Sequence, residues 1–381
     1  MRQVAIIGVG STVFGKFQQK ALFELGSEAV WAALKDGGVN PKDIQFAHYA
    51  NLYGGMVEGQ AALRDAGITN IEITNIENAC VGGATSFRRA WLDIASGLYD
   101  IGIAVGAESM TTSPIAGKLI TPAKGDVSGE LGMNTMAKFA LSQRRYMEVS
   151  GVSLEQIARV SVKNHHNGCF NPYSQYHKEF SVEDILKSRL ICDPITQLQS
   201  CSTTDGAAAA ILVSLNLAKK YTTKPIIIAA SVIQSGDYAF RWKDITFSDM
   251  TYQAANKAYR MAGIGPEDIS LCELHDAFAV NELQHYVELG FCRRGEEVRL
   301  LEDGVTGLNG RLPVNPSGGL LSKGHPLSAT GVAQIAEIVW QLRGQAGSNQ
   351  ITHAKVGLAH TLGGEVADLE AGAVGVHILK R

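Results

Sequence analysis

The chain has 381 residues, 45% of them hydrophobic and 19% charged, which is enough to bury a core in roughly two or three units. Its formal net charge of −3 argues against a nucleic-acid partner, and no apolar run reaches the ~18 residues of a membrane span. Six cysteines without a C-x-x-C pair or zinc spacing, and no signal-peptide layout, predict a reduced, cytoplasmic protein without a metal site.

The chain opens with an apolar stretch at residues 4–10 that predicts a strand, and a helical pattern follows at residues 22–36. Gly8 and Gly10 form a Gly-x-Gly, which raises a nucleotide-binding oxidoreductase as one alternative. The third glycine of that fingerprint is missing, because Val13 stands in its place. We therefore interpret the two glycines as a turn at the end of the strand.

Cys80 lies where a short predicted strand, residues 71–76, gives way to a helical pattern over residues 85–98. A thiol at this junction lies near free backbone N–H groups and the positive end of the helix dipole, which favours the thiolate. The small residues at positions 82–84 leave room for a bulky acyl thioester. Cys80 is therefore a candidate nucleophile, whereas we interpret the other five cysteines as core residues.

Between residues 114 and 196 no strand alternation persists, and helical pieces at residues 135–148 and 154–164 are joined by polar segments. We therefore predict that 114–196 is an inserted loop domain, and long insertions of this kind often carry ligand contacts. The first half then comprises residues 1–113 and is completed by residues 197–220, which include a small-residue turn and a buried strand.

The remaining residues, 221–381, repeat the order of the first half. A strand at residues 225–230 and a helix at residues 252–261 precede the turn Gly-x-x-Pro-x-Asp-Ile. The same turn occurs at residues 38–44, also after a helix and before a strand. This self-similarity predicts two related α/β halves.

Three histidines of the second half are catalytic candidates because of their positions. His275 follows a strand at residues 269–274, His325 lies in a glycine-rich loop that opens a helix, and His360 follows a strand at residues 355–359. Open α/β sheets gather their functional groups beyond the carboxyl ends of strands. A typical histidine is a spectator, so this placement is what favours catalysis.

Together these motifs resemble those of the thiolase superfamily over essentially the whole chain. Asn-Ala-Cys at residues 78–80 is similar to its nucleophile motif, and residues 324–326 match its Gly-His-Pro motif. The turn at residues 202–210 resembles its Ser-Asp-Gly-Ala-Ala strand. His-Asp-Ala-Phe at residues 275–278 resembles the branch of sterol-carrier-protein-type and archaeal thiolases.

The resemblance implies a thiolase-like duplicated fold with five layers, α/β/α/β/α. It implies that Cys80 accepts an acyl group from a (β-keto)acyl-CoA and that His325 is the base that deprotonates it. His275 would anchor the donor that polarises the substrate carbonyl. An oxyanion hole would come from the backbone N–H of Cys80 and one near Leu362 and Gly363.

The resemblance also implies partners. Coenzyme A would be a co-substrate, with no permanently bound cofactor. Candidate contacts with substrate or coenzyme A are Met133, Lys163, His165 and His166. Members are usually homodimers or dimers of dimers, and this branch often works with a small separate protein that bears an OB-fold and a zinc ribbon.

One departure from the family is the missing second cysteine, which serves as acid and base for carbon–carbon chemistry. His360 stands where the C-terminal Cys-x-Gly motif should place it, and Ala277 stands where sterol-carrier-type relatives have theirs. Either His360 transfers the proton, or another residue does, or the carbon–carbon step is lost. In the last case the chain would have an alternative function, that of a catalytically weak scaffold subunit that binds CoA esters.

Overall fold

The computed structural model describes residues 1–112, 116, 127–222, 224–238, 244–367 and 370–381. Its strands are β1 (Val4–Ser11), β2 (Phe46–Ala50), β3 (Glu72–Ile76), β4 (Ile101–Ser109), β5 (Leu190–Cys192), β6 (Ile195–Thr196), β7 (Asp205–Ser214), β8 (Ile226–Ser235), β9 (Leu271–Glu273), β10 (Val356–Ala367) and β11 (Glu370–Lys380). Its helices are α1 (Leu22–Gly37), α2 (Glu58–Asp65), α3 (Gly82–Ser96), α4 (Val127–Glu130), α5 (Thr135–Ser150), α6 (Leu154–Cys169), α7 (Val182–Lys187), α8 (Leu215–Ala218), α9 (Asp249–Ala262), α10 (Ala279–Glu288), α11 (Glu297–Glu302), α12 (Gly319–Ser322) and α13 (Thr330–Arg343). Within the described ranges, no helix has the length and hydropathy needed to cross a bilayer.

Nine strands form one mixed sheet in the order β3-β2-β4-β7-β1-β8-β11-β10-β9. The first five belong to the first half and the last four to the second. The two groups meet where β1 pairs antiparallel with β8, through Ala5 with Ile227 and Ile6 with Ile226. β2 pairs in parallel with β3 and β4, and β9 pairs in parallel with β10. The predicted α/β class is therefore confirmed.

The layers follow from strands that bury both faces. Along β7, Ile211 packs into a cluster with α1, whereas the next residue, Leu212, packs into a cluster with α3 and α13. Helices α3 and α13 contact each other and strands of both halves, so they form the middle layer. In β11, Ile378 faces the cluster of α9 and Leu379 faces the middle layer. The five strands of the first half and the four of the second are the two β layers, and each lies between the middle layer and outer helices. The predicted order α/β/α/β/α is therefore confirmed.

The two halves also share the geometry of the repeated turn. Residues Pro41–Asp43 and Pro266–Asp268 each form a 3-10 turn, and each follows a helix that ends at a left-handed glycine. The residue after each turn has nearly the same backbone angles, φ −71° and ψ 124° at Ile44 and φ −70° and ψ 124° at Ile269. The duplication predicted from the sequence is confirmed at this turn.

The segment predicted as a loop domain contains α4 to α7 and the hairpin β5–β6. Its predicted start falls in a stretch, residues 113–115 and 117–126, that lies outside the described residues. The boundaries at 113/114, 196/197 and 220/221 stay predictions.

Gly8 and Gly10 lie inside β1, so the expectation of a turn there is wrong. A Cβ on Gly8 would lie 2.4 Å from the carbonyl oxygen of Ala33, and one on Gly10 would lie 2.5 Å from that of Ala29. Both glycines therefore let α1 pack closely on the strand. The space that a dinucleotide-binding turn would leave for phosphate is filled by this helix.

Candidate active site

Cys80 lies in a 3-10 turn, Ala79–Val81, that leads from β3 into α3. Ala79 has a left-handed φ of 45°, a conformation that costs a non-glycine residue roughly 1–3 kcal/mol and that clusters at functional sites. The Glu77 carboxylate accepts a hydrogen bond of 2.7 Å from the Ala79 N–H and so holds the turn. The nucleophile candidate is thereby placed at the N-terminus of a middle-layer helix, as predicted.

The first turns of α3 and α13 approach each other closely because glycines line the contact. A Cβ on Gly83 would lie 2.3 Å from the Ser328 carbonyl oxygen, and one on Gly331 would lie 2.5 Å from the backbone of α3. This contact brings His325, in the loop before α13, beside Cys80. The expectation that Gly83 leaves room for an acyl group is therefore wrong, since protein fills that space.

Cys80, His275 and His325 form the candidate centre. The Cys80 Sγ and one ring nitrogen of each histidine all lie within 4.8 Å of one another. The two imidazole rings meet edge to face, with centroids 5.0 Å apart. Both histidines are buried and the cysteine is half-buried. These are also ligand types that bind Zn²⁺, so the same three side chains could hold a soft metal ion.

The orientation of His325 is set by Thr330, which the sequence analysis did not single out. His325 Nδ1 lies 2.8 Å from Thr330 Oγ1, and that hydroxyl lies 3.1 Å from the Pro326 carbonyl oxygen. Because a carbonyl can only accept, the hydroxyl donates to it and itself accepts the N–H of Nδ1. We therefore assign the ring proton to Nδ1, which leaves Nε2 as the proton acceptor.

Burial keeps both the thiol and this imidazole neutral at rest. It raises the pKa of Cys80 to about 12, although the backbone N–H of Gly364 donates to the sulfur and lowers that pKa. Glu108, a buried carboxyl that the sequence analysis did not single out, raises the pKa of Cys80 further. Burial also lowers the pKa of His325 to about 3. Burial therefore opposes the thiolate that the helix N-terminus favours, because desolvation disfavours the charged form.

Gly363 of β10 lies directly against Cys80. A Cβ on Gly363 would lie 2.5 Å from the Cys80 Cβ and 2.9 Å from its Sγ. The backbone N–H groups of Gly364 and of Cys80 itself both lower the pKa of this thiol. Gly364 lies one residue beyond the Leu362 and Gly363 of the predicted oxyanion stretch. The Leu362 side chain instead lines a pocket together with Phe139.

Replacing Gly363 by alanine is expected to slow acylation of Cys80 on the order of 10²-fold, because the new methyl group displaces the nucleophile by about 1 Å. The matched control is Gly372→Ala on the adjacent strand, where the nearest atom to a new Cβ is 3.4 Å away. Adduct formation is followed by mass spectrometry after rapid quenching. Equal rates for the two variants would contradict this placement of Gly363.

His360 contacts the backbone of the candidate centre, since its Nδ1 accepts a 3.5 Å hydrogen bond from the N–H of His275, but it lies on the other face of its strand from Gly363. It lies inside β10 rather than after a strand, because the strand continues through its pairing with β11. Alternate residues of a strand face opposite sides, so His360 and Gly363 face opposite layers. The His360 ring lies against that of His285, with centroids 4.5 Å apart, and its Nε2 is 3.4 Å from Thr251 Oγ1. Its position therefore gives no support to His360 as the substitute for the second cysteine.

Two predicted coenzyme A contacts are internal. The Lys163 Nζ forms a 2.9 Å ion pair with Glu282, which is buried. His165 is 1% exposed and lies edge-on to the rings of Tyr176 and Phe180. His165 therefore has almost no surface for the predicted contact with substrate or coenzyme A, and Lys163 is engaged within the protein.

The other two predicted contacts lie nearer the surface. His166 is exposed and its Nδ1 lies 2.8 Å from a Glu179 carboxylate oxygen, while Met133 is half-buried just before α5. No contact among the described residues joins either of them to Cys80. Their part in binding the substrate or coenzyme A stays a prediction.

Buried neutral histidines predict a loss of stability in acid. Burial lowers the pKa of His165 to about 4 and those of His325 and His377 to about 3. Between pH ~6.5 and pH ~4 the unfolded chain gains these protons and the folded chain does not. The free energy of unfolding therefore decreases as the pH is lowered through this range. His165 alone contributes roughly 2–3 kcal/mol between pH 7 and 4.5. Urea unfolding at both pH values should show a smaller decrease for His165→Leu, and an identical decrease would contradict this assignment.

Two family models match the chain, "Thiolase, N-terminal domain" over residues 4–216 and "Thiolase C-terminal domain-like" over residues 232–376. An acetyl-CoA acetyltransferase of Methanothermobacter thermautotrophicus is 39% identical, covering 100% of both chains. The benzoylsuccinyl-CoA thiolase subunit BbsB of Thauera aromatica is 39% identical over 95% of each chain. A solved structure named "Ltp2-ChsH2(DUF35) aldolase" superposes with a TM-score of 0.85 at 26% identity, covering 99% of this chain and 97% of its own.

Proposed function

The chain belongs to the thiolase family of acyltransferases, and we propose that it is an acyl-CoA C-acyltransferase whose Cys80 carries the acyl group. The observation that carries the proposal is the cluster of Cys80, His275 and His325 within 4.8 Å. A (β-keto)acyl-CoA acylates Cys80, and the acyl group then passes to coenzyme A in thiolytic cleavage or to a carbon nucleophile in condensation. Coenzyme A is a co-substrate in this scheme.

Acylation begins when the Cys80 Sγ attacks the substrate carbonyl and its proton passes to His325 Nε2. Both groups are neutral beforehand, so the thiolate and imidazolium charges arise together and stabilise each other. The backbone N–H groups of Cys80 and Gly364 donate hydrogen bonds to the carbonyl oxygen as it becomes negative. Such donors stabilise a transition state by about 2.7–4 kcal/mol each. His275 anchors the donor that polarises the thioester carbonyl of the second substrate.

The test is the stoichiometry of acetoacetyl-CoA cleavage, measured by chromatography of the CoA esters. The protein is expected to convert one acetoacetyl-CoA and one coenzyme A into two acetyl-CoA. Aromatic and branched β-ketoacyl-CoAs follow in the same assay, because pocket size sets which of them is used. Lack of any product across this series, with and without co-expressed partner proteins, would contradict the proposal and favour the scaffold alternative.

We also propose a homodimer or dimer of dimers, built through β3. This strand is one edge of the sheet and is exposed or half-buried along its length, whereas β9 at the other edge is buried. An exposed edge strand is a ready template for pairing with another chain. Light scattering is expected to give two or four times the 40.7 kDa of one chain, and a monomer would contradict this proposal.

A small partner protein with an OB-fold and a zinc ribbon is a further proposal. Its support is that one relative is named a subunit, and that the name of the structural neighbour joins Ltp2 to ChsH2(DUF35). Co-purification from the native cell would identify such a protein.

We also propose that this chain is located in the cytoplasm, because all six of its cysteines are unpaired.

A further inference from the structure

Breaking or making a carbon–carbon bond next to a thioester requires a proton transfer at the α-carbon, in addition to the chemistry of Cys80 and His325. His360 faces the opposite side of β10, and Ala277 has no titratable side chain. Neither of these two positions therefore offers a thiol to the candidate centre, and we consider one on another segment of the chain. The segment between β6 and β7 contacts both catalytic histidine segments.

Cys201 lies in this segment, beside the residues that follow His275. The Cys201 N–H donates a 2.8 Å hydrogen bond to the Ala277 carbonyl oxygen, and Ser200 forms an antiparallel bridge with Phe278. The backbone of Cys201 is thus fixed at the position of Ala277, where the chain itself offers only a methyl group.

The other end of the same segment is fixed to the second catalytic histidine. The backbone N–H of His325 lies 3.3 Å from the Thr204 hydroxyl, and a Cβ on Gly324 would lie 2.7 Å from that oxygen. Residues 201–204 therefore join the His275 segment to the His325 segment, along one side of the candidate centre.

The surroundings of Cys201 keep its thiol in the protonated form, which is the form that donates a proton. Burial raises the pKa of Cys201 to about 12, and a negative charge on Cys80 or Asp276 raises it further. His275 is 5% exposed, and its Nδ1 has no hydrogen-bond partner in the parts of the chain that the structure describes. A buried polar atom without a partner marks a place for a substrate group or an ordered water.

We propose that Cys201 is the second proton-transfer residue of this active site, and that it replaces the cysteine missing from both family positions. The inference rests on the function proposed above. In cleavage, the carbon–carbon bond breaks once Cys80 has attacked the β-carbonyl, and the electron pair goes to the α-carbon. That carbon takes the proton of the Cys201 thiol and leaves as acyl-CoA.

The second half of the cycle restores both cysteines. The Cys201 thiolate takes the proton of the incoming coenzyme A thiol, whose sulfur attacks the acyl group on Cys80. The bond between the acyl carbon and Cys80 breaks, and the Cys80 sulfur recovers its proton from His325. In condensation the same residue acts in reverse, as a thiolate that removes a proton from the α-carbon.

The experiment separates acylation from chemistry at carbon. Acetyl-CoA is supplied in D₂O, and two quantities are measured, the acetyl adduct on the protein and deuterium incorporation at the acetyl methyl group. Cys201→Ala is expected to keep the adduct at its full stoichiometry, which also shows that the variant is folded. It is expected to lose deuterium incorporation by a factor of about 10² or more.

The matched control is Cys292→Ala, because Cys292 is half-buried and packs against the same hydrophobic cluster as Cys201. This variant is expected to keep both the adduct and the exchange. Exchange that is absent from the unaltered protein, or undiminished in Cys201→Ala, would overturn the proposal, as would loss of the adduct in Cys201→Ala. Absence of any adduct on the unaltered protein would instead overturn the proposed function.

Discussion

Replacing Cys80 by alanine is expected to lower the rate of acyl transfer by a factor of about 10⁴ or more, while the fold stays intact. The reason is that the acyl group has no other sulfur at the junction of β3 and α3 to which it can be attached. Alanine keeps the Cβ that packs against Gly363, so the free energy of unfolding should change little. The measurement is product formation from acetoacetyl-CoA and coenzyme A, with urea unfolding in parallel.

Two further variants make this result specific. Cys292→Ala removes a half-buried thiol elsewhere in the second half and should turn over at the rate of the unaltered protein. Cys80→Ser keeps the shape of the side chain but offers a much weaker nucleophile, so it should resemble Cys80→Ala. If Cys80→Ala and Cys292→Ala turned over equally fast, Cys80 would not be the nucleophile.

Replacing His325 by alanine is expected to slow acylation of Cys80 by about 10²–10⁴-fold at pH 7, which is the usual contribution of a positioned base. Its effect on the pH profile is more specific. The pKa of Cys80 is raised to about 12 and that of His325 is lowered to about 3, so both stay neutral between pH 5 and 9. The acylation rate of the unaltered protein should therefore be flat over that range.

Without its base, the variant can react only through the small fraction of free thiolate. Below a pKa of about 12 this fraction rises tenfold for each pH unit, so the rate for His325→Ala should rise with the same slope from pH 5 to 9. Thr330→Val is the companion variant, since it removes the acceptor of the Nδ1 proton and leaves the imidazole in place. It should slow acylation and keep the flat profile. A flat profile in His325→Ala would show that another group takes the proton.

The elements and the three central residues of the site could be predicted because their signals are local. The pattern of adjacent residues around Cys80 predicts a strand, a small-residue turn and a helix, and local patterns likewise predict the segments of His275 and His325. The repeated Gly-x-x-Pro-x-Asp-Ile turn likewise fixes its own geometry. What these signals could not give is the protonation of the site, because the pKa of Cys80 depends on burial by distant segments.

The predictions for single residues that the structure does not support have the same cause, which is contact between segments distant in the chain. Lys163 and His165 lie around the end of the helix predicted at residues 154–164, in a polar sequence that suggests exposure. In the structure α6 turns them into the protein, against Glu282 and Phe180. His360 was expected after a strand, but pairing with β11 extends β10 past it and fixes the face it occupies. Cys201 gave no local signal at all, since its contact with Ala277 joins segments far apart in the chain.

The most direct test of the account is the intact mass of the protein after incubation with acetoacetyl-CoA, before and after addition of coenzyme A. The account predicts one acetyl group per chain, mapped to the peptide that contains Cys80, and its complete discharge as acetyl-CoA when coenzyme A is added. An acetyl group on another residue, or one that coenzyme A does not remove, would contradict the assignment of Cys80 as the nucleophile.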